Sequence, residues 1–245
     1  MKLNCDLGES FGAWTMGMDE AVMPLINQAN IACGFHASDP VTMNRTLALA
    51  VKYDVEIGAH PAYPDLVGFG RRSMKCTNEE LQALIWYQIG ALDGVARAHG
   101  VQVSYVKPHG ALNNDMMRSE EQLATIMKAV SAYGNGLRLM IPVTNNWQQH
   151  RKMAAELDLE LILEAFADRA YDQNGLLVPR SEAGAVHHDS DRIVAQATIL
   201  AEKGGLYSID GQWLQLPAES LCVHGDNPES VQAVADIKAA LESCA

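Results

Sequence analysis

Four of the eight histidines in this 245-residue chain, His36, His60, His109 and His224, each close a short apolar run, and Asp6 closes a fifth. One histidine at the end of such a run is commonly a core residue. Four at equivalent positions imply a shared site. Two chemistries suit it. Asp6, His36, His60 and His109 are a plausible ligand set for a divalent metal that activates water. Alternatively the imidazoles and the carboxylates of Asp6 and Glu9 act as general acids and bases and polarise a carbonyl. Spacing does not choose between them, because the candidates come from separate runs.

The cations nearby extend the site. Lys107 precedes His109 by two residues and is expected to neutralise a phosphate or a developing oxyanion. Arg71 and Arg72 follow the stiff segment Gly58-Ala59-His60-Pro61-Ala62-Tyr63-Pro64-Asp65. One of them is expected to pair with Asp65 and the other to grip a substrate carboxylate or phosphate bidentately. Glu164, Asp168 and Arg169 read equally as an ion-pair set or as ligands, and His224 and Asp226 join the substrate- or phosphate-binding candidates. Arg180 reads as a loop contact. His99 suits a helix C-terminus, and His150, His187 and His188 receive no role.

The elements that must position these groups follow from the alternation of short apolar runs with amphipathic stretches. Strands are expected at Leu3–Leu7, Asn30–His36, Val55–Pro61, Val103–His109, Leu137–Val143, Leu161–Ala167 and Leu221–Asp226. Asp39-Pro40 places an N-cap and a proline at the first turn of a helix over Val41–Tyr53. Thr77-Asn78-Glu79-Glu80 is a capping box opening a long helix that ends at Gly100, and Ser119 with Gln122 can cap the next. Further helices are expected at Trp147–Leu157, at Asp191–Lys203 and after Asn227-Pro228. Seven strand–helix repeats without a composition break predict one domain, residues 1–245, with a parallel sheet. Insertions interrupt it at about 168–188 and at 206–217, the second a hairpin turning at Asp210-Gly211.

Side-chain alternation selects the architecture. In the first strand Leu3, Cys5 and Leu7 oppose Asn4 and Asp6. In the third, Val55, Ile57 and Ala59 oppose Glu56, Gly58 and His60. In the fourth, Val106 and Pro108 oppose Tyr105, Lys107 and His109, and in the sixth Leu161, Leu163 and Ala165 oppose Ile162, Glu164 and Phe166. An open parallel sheet covered on both sides would be apolar on both faces. One apolar and one polar face instead predict a seven-stranded (β/α) barrel with helices only outside, its site at the C-terminal strand ends.

The formal net charge of −12 argues against a nucleic acid or an anionic membrane surface as partner. No apolar run reaches the roughly 18 residues of a membrane helix, and the N-terminus carries no apolar leader, so a cytoplasmic protein is expected. The five cysteines lack zinc-type spacing and read as reduced core thiols. Neither G-x-x-x-x-G-K-[ST] nor a strand-following G-x-G-x-x-G occurs, which excludes those nucleotide loops.

Six blocks in order resemble the LamB/YcsF family: Asn4-Cys5-Asp6-Leu7-Gly8-Glu9, Asn30-Ile31-Ala32-Cys33-Gly34-Phe35-His36-Ala37, Gly58-Ala59-His60-Pro61, Lys107-Pro108-His109-Gly110-Ala111-Leu112, Phe166-Ala167-Asp168-Arg169 and Val223-His224-Gly225-Asp226. The resemblance runs from Leu3 to about Pro228. It implies a seven-stranded barrel like that of glycoside hydrolases and polysaccharide deacetylases. It also implies the A subunit of a three-component 5-oxoprolinase, opening 5-oxo-L-proline to L-glutamate with ATP (and Mg) as co-substrate beside subunits B and C. Under that reading Asp6 or Glu9 is the base, His60 or His109 the acid, and Lys107, Arg71 and Arg72 the anion contacts. Two positions depart from the family pattern: Ser38 stands where glycine is usual, and Asn113-Asn114 where tyrosine-asparagine is usual. Two other readings stay open, a stand-alone metal-dependent deacetylase or amidohydrolase and a non-catalytic substrate-binding subunit.

Overall fold

The computed structural model describes residues 1–225 and 227–243. Seven parallel strands close into a barrel in the order β1 (Lys2–Leu7), β2 (Gln28–Ala32), β3 (Glu56–His60), β4 (Tyr105–Val106), β5 (Arg138–Pro142), β6 (Leu161–Phe166) and β9 (Ser220–Val223). Closure comes from β1, which pairs with β2 on one side (Asp6 opposite Asn30) and with β9 on the other (Leu3 opposite Leu221). A two-stranded antiparallel ribbon, β7 (Gly205–Tyr207) and β8 (Trp213–Gln215), stands apart and turns through Asp210-Gly211.

The predicted parity holds. Leu3, Cys5, Ile31, Ile57, Leu139, Leu163 and Leu221 face outward into the large apolar core under the helices. Each such residue stabilises the fold by about 1.5–3 kcal/mol on burial. Inward, Tyr105, Met140 and Ile162 form a separate apolar plug. Gly58 is the inward residue beside that plug, and a Cβ there would lie 2.2 Å from the Tyr105 ring. The strand has no side chain at 58 because the tyrosine fills the space.

The outer layer comprises α1 (Asp19–Val22), α2 (Pro40–Lys52), α3 (Asn78–Ala98), α4 (Gly110–Arg118), α5 (Glu120–Tyr133), α6 (Trp147–Ala155), α7 (Ser190–Lys203) and α8 (Pro228–Ser243). The expected caps are in place. Asp39 accepts from the amides of Val41 and Thr42, Thr77 and Glu80 form the reciprocal box, and Ser119 accepts from Gln122. Among the described residues no helix is long and apolar enough to cross a membrane. Cys5, Cys33, Cys76 and Cys222 form no disulfide among the described residues.

Three strands end at least three residues earlier than expected. β2 stops at Ala32, so His36 lies in the following turn, where Gly34 donates to the carbonyl of Ala37. Only Tyr105 and Val106 of the fourth run pair in the ladder, since Pro108 has no amide proton to contribute. The amides of Lys107 and His109 nonetheless bond to the carbonyls of Ala59 and Pro61, both at 2.8 Å, which keeps both residues in register with β3. The last strand stops at Val223, and Asp226 lies outside the described residues. The short helices α1 and α4 have no counterpart in the sequence expectation. Neither has a side-chain N-cap bond, so neither announces its start.

Candidate functional site

The C-terminal ends of the strands open into a cavity of about 590 Å³ whose walls include Asp6, Glu9, His60, Lys107, His109 and His224. β1 delivers Asp6 directly. Glu9 follows after the Gly8 amide is tied to Asp19 Oδ2 at 2.9 Å, which bends the chain back over the barrel. β3 delivers His60, and the β4 extension delivers Lys107 and His109.

Lys107 is the centre of one group. Its Nζ lies 2.9 Å from Asp6 Oδ1, 2.7 Å from Glu164 Oε1, 3.1 Å from Asn4 Oδ1 and 3.3 Å from Cys222 Sγ. Burial opposes its charge, but Asp6, Cys222 and Glu164 outweigh burial and hold its pKa well above the usual lysine value. Burial likewise opposes ionisation of Asp6, and His60 and Lys107 reverse that, keeping the carboxyl well below the usual range. Asp6 also accepts from Asn30 Nδ2 at 2.9 Å. Lys107 is thus an ammonium already matched by two carboxylates, which changes its expected part. It orients Asp6 and Glu164 more than it offers a free charge to an anion.

The imidazoles form the second group. His60 Nδ1 lies 2.7 Å from the Lys107 carbonyl, and its Nε2 lies 2.9 Å from His109 Nδ1 and 3.3 Å from Asp6 Oδ2. His109 Nε2 lies 3.0 Å from the Phe69 carbonyl. His36 stacks on His109 with ring centroids 3.8 Å apart and an interplanar angle of 7°, and its Nε2 meets Glu9 Oε1 at 3.2 Å. Burial first, then the neighbouring imidazoles, hold the pKa values of His36 and His109 well below the usual histidine value, so both rings are neutral at pH 7. One ligand atom from each of Glu9, His36, His60 and His109 falls within a group 4.8 Å across, which could hold a metal ion. The acidic member of that group is Glu9; Asp6 has its Oδ1 taken by Lys107 and Asn30, and its Oδ2 stands beside the group, 3.3 Å from His60 Nε2.

The remaining expected residues divide. Arg71 lines the cavity and lies over the Phe69 ring at 5.1 Å. Asp65 and Arg72 pair with each other outside the cavity walls, and Asp65 also accepts from the Gly68 amide, so this pair shapes the loop that ends at Gly70. Gly70 has φ +63°, and a Cβ there would meet His36 Cβ at 2.8 Å and His109 Cδ2 at 2.9 Å. Arg169 is buried and lines the cavity, but it donates to the carbonyls of Val178 (2.7 Å) and Ala185 (3.3 Å), pinning the 168–188 segment. His224 Nδ1 pairs with Asp168 Oδ2 at 3.1 Å. Burial raises the Asp168 pKa, and His224 more than reverses it. Asp168 faces an adjoining cavity of about 400 Å³ that shares Arg71, Arg180 and His224 with the first. Two further cations line the cavity, both exposed: Arg118, which no sequence pattern singles out, and Arg180, expected as a loop contact. Among the described residues, neither they nor Arg71 pair with a carboxylate within 4.0 Å. Arg118 sits on α4, whose start carries no cap signal, and Arg180 sits in a loop without periodicity.

The chain as a whole is similar to proteins already described. A protein of Chromohalobacter salexigens, named as the A subunit of 5-oxoprolinase, is 57% identical over 243 residues, 99% of this chain and 97% of that one. A Pseudomonas aeruginosa protein, also named as an A subunit of 5-oxoprolinase, is 54% identical over 98% of this chain and 96% of its own. The crystal structure of a lactam utilization protein from Thermus thermophilus superposes with a TM-score of 0.91 at 38% identity, over 99% of this chain and 96% of that one. The LamB/YcsF family pattern matches residues 1–245, and the chain belongs to that family.

Proposed function

We propose that the chain is the lactam-handling subunit of an ATP-dependent 5-oxoprolinase, converting 5-oxo-L-proline to L-glutamate in the cytoplasm together with subunits B and C. The observation that carries this reading is the convergence of two carboxylates, three imidazoles and a matched lysine in one cavity of a chain whose relatives bear that name. A five-membered lactam is a poor electrophile. Transfer of the ATP γ-phosphoryl group to the lactam oxygen, with Mg as counter-ion, makes the ring carbon attackable. Water then adds to that carbon, the C–N bond breaks with a proton passing to nitrogen to leave the side-chain acyl phosphate, and a second water cleaves that acyl phosphate to the carboxylate and inorganic phosphate. Asp6 is ionised at neutral pH and 20% exposed to the cavity, so it can accept the proton of the attacking water, with Glu9 as the other candidate base. His60 or His109 faces the same space and can supply a proton to the leaving nitrogen. Arg71, Arg118 and Arg180 lack carboxylate partners among the described residues and suit the substrate carboxylate or a phosphate.

The test is turnover of 5-oxoproline by the chain assembled with subunits B and C. Asp6→Asn and His109→Ala are expected to lower kcat by about 10²–10⁴-fold. Near-normal turnover in either variant removes that residue from the mechanism. The Glu9–histidine group favours a second reading, a stand-alone metal-dependent amidohydrolase. Chelator-sensitive lactam hydrolysis by the isolated chain without ATP would establish it over the first.

A further inference from the structure

Hydrogen-bond accounting around the imidazoles leaves one position unfilled. A carbonyl oxygen only accepts. The Lys107 carbonyl at 2.7 Å therefore places a proton on His60 Nδ1, and the Phe69 carbonyl at 3.0 Å places one on His109 Nε2. The nitrogens left over, His60 Nε2 and His109 Nδ1, then direct lone pairs at each other across 2.9 Å. Two facing lone pairs repel unless something positive lies between or beside them. Glu9 Oε1 adds a third donor 3.8 Å from His109 Nδ1, and His36 Nε2 adds a fourth 3.2 Å from Glu9 Oε1. His36 Nδ1 has no hydrogen-bond partner, so the network does not require His36 Nε2 to carry the proton. Donors arranged tetrahedrally around an ion at the usual bond length of about 2.1 Å stand about 3.4 Å apart. The separations of 2.9, 3.2 and 3.8 Å straddle that value, the other pairs lie within 4.8 Å, and His36 has to turn out of its stack on His109 for both lone pairs to meet one ion.

We infer that Glu9, His36, His60 and His109 bind one divalent transition-metal ion, which can take water from the 590 Å³ cavity as a fifth ligand. Three imidazoles and one carboxylate suit zinc and its first-row neighbours better than magnesium or calcium, which prefer oxygen. The Lys107 and Phe69 carbonyls are the outer partners that fix ring orientation in such sites. Asp6 is outside the ligand set and stands beside it, 3.3 Å from His60 Nε2, where it can take a proton from such a water. This rests on the same cavity and changes one role in it: the site would hold the attacking water, and His60 and His109, as ligands, would no longer be the acid.

The rival occupant is a single proton shared by His60 and His109, and binding measurements separate the two. Chelator-treated protein is titrated with Zn²⁺ by calorimetry and with Co²⁺ by visible absorption. One ion per chain is expected, with the Co²⁺ bands of a low-coordinate nitrogen site. Glu9→Gln preserves side-chain shape at the cavity rim, and His36→Gln removes a nitrogen ligand. Each should weaken binding by at least the ~10–100-fold that outer partners alone contribute. His99→Ala, whose ring bonds to Asn44 on the surface, should leave it unchanged. No binding to the folded wild-type chain, or binding that Glu9→Gln leaves undiminished, overturns the inference in favour of the proton. Neither titration needs ATP or a partner subunit. Their failure leaves the lactam reading standing, and an inactive complex of metal-loaded protein leaves the metal site standing.

Discussion

Two layers of the barrel interior solve the same problem in opposite ways. The lower layer buries Lys107 with Asp6 and Glu164 above the Tyr105, Met140 and Ile162 plug, and its charges have partners within 3 Å. Asn4, Asn30, Tyr105 and Ser220 extend it as a chain of hydrogen bonds of 2.7–2.8 Å. The upper layer, Glu9 with three histidines, meets acceptors on its outer side and leaves its inner nitrogens facing one another. Charges paired in place make a frame, although the Glu164 oxygens gain no hydrogen bond beyond the Lys107 ion pair, and nitrogens left facing one another suit an added cation.

The sharpest way to break the frame is Lys107→Met. It strands two buried carboxylates, and a loss of about 3–5 kcal/mol in denaturant unfolding is expected. Adding Glu164→Gln to that variant should recover part of the loss, which a double-mutant cycle measures. The frame's pH limits follow from the two shifts. Asp6 has a folded pKa below its unfolded value of about 3.9, so its contribution is present above that pH and fades as pH falls through the folded value. Lys107 has a folded pKa above its unfolded value of about 10.4, so its contribution is complete below that pH and fades as pH rises through the folded value. Unfolding midpoints should therefore drop at both extremes in the wild type, and the alkaline drop should shrink in Lys107→Met.

The upper layer depends on backbone shape instead. Gly70→Ala puts a methyl group at φ +63°, against His36 and His109, and should cost about 2 kcal/mol while lowering turnover. If turnover survives the substitution intact, the upper layer is not the reactive one. The smallest effect is expected at Ser38, a buried residue at φ +76° in the turn that carries His36. Relief of the left-handed strain by Ser38→Gly, about 1 kcal/mol, is partly offset by the added freedom of the unfolded chain. A net gain of about 0.5 kcal/mol should raise Tm by about 1–2 °C.

The barrel was legible because it is written in period two. Asn4 and Asp6 against Leu3 and Cys5, or Tyr105 and Lys107 against Val106, assign each strand an inside and an outside without any tertiary information. His60, Lys107 and His109 were legible for the same reason, lying on strands or continuing their register. Parity lost its grip where strands ended early. His36 lies four residues past β2, and its position depends on a turn with Gly34 at φ +94° and Ser38 at φ +76°. Glu9 and Asp6 could not be ranked as ligands, because that choice depends on Lys107 reaching Asp6 from 101 residues away. The carbonyl of Phe69, which fixes the His109 tautomer, carries no signal in residue type at all. Asp65 and Arg72 read as mouth residues but pair with each other, a local loop contact that spacing does not tell apart from a substrate grip.

The β1–β9 seam has a consequence for how the molecule is made. Asn4 bonds to Ser220 across 216 positions of sequence, and Lys2 opposes Ser220 in the ladder. β1, which carries Asp6 and leads to Glu9, emerges first during synthesis but cannot be locked on both edges until almost the whole chain has followed. Contacts of such long range form slowly. Refolding followed by Trp fluorescence and by recovery of site occupancy should therefore diverge, with helices and middle strands ordered before the chain's two ends meet. The candidate site is then among the last parts of the barrel to assemble, and a chain stopped before β9 is expected to lack it.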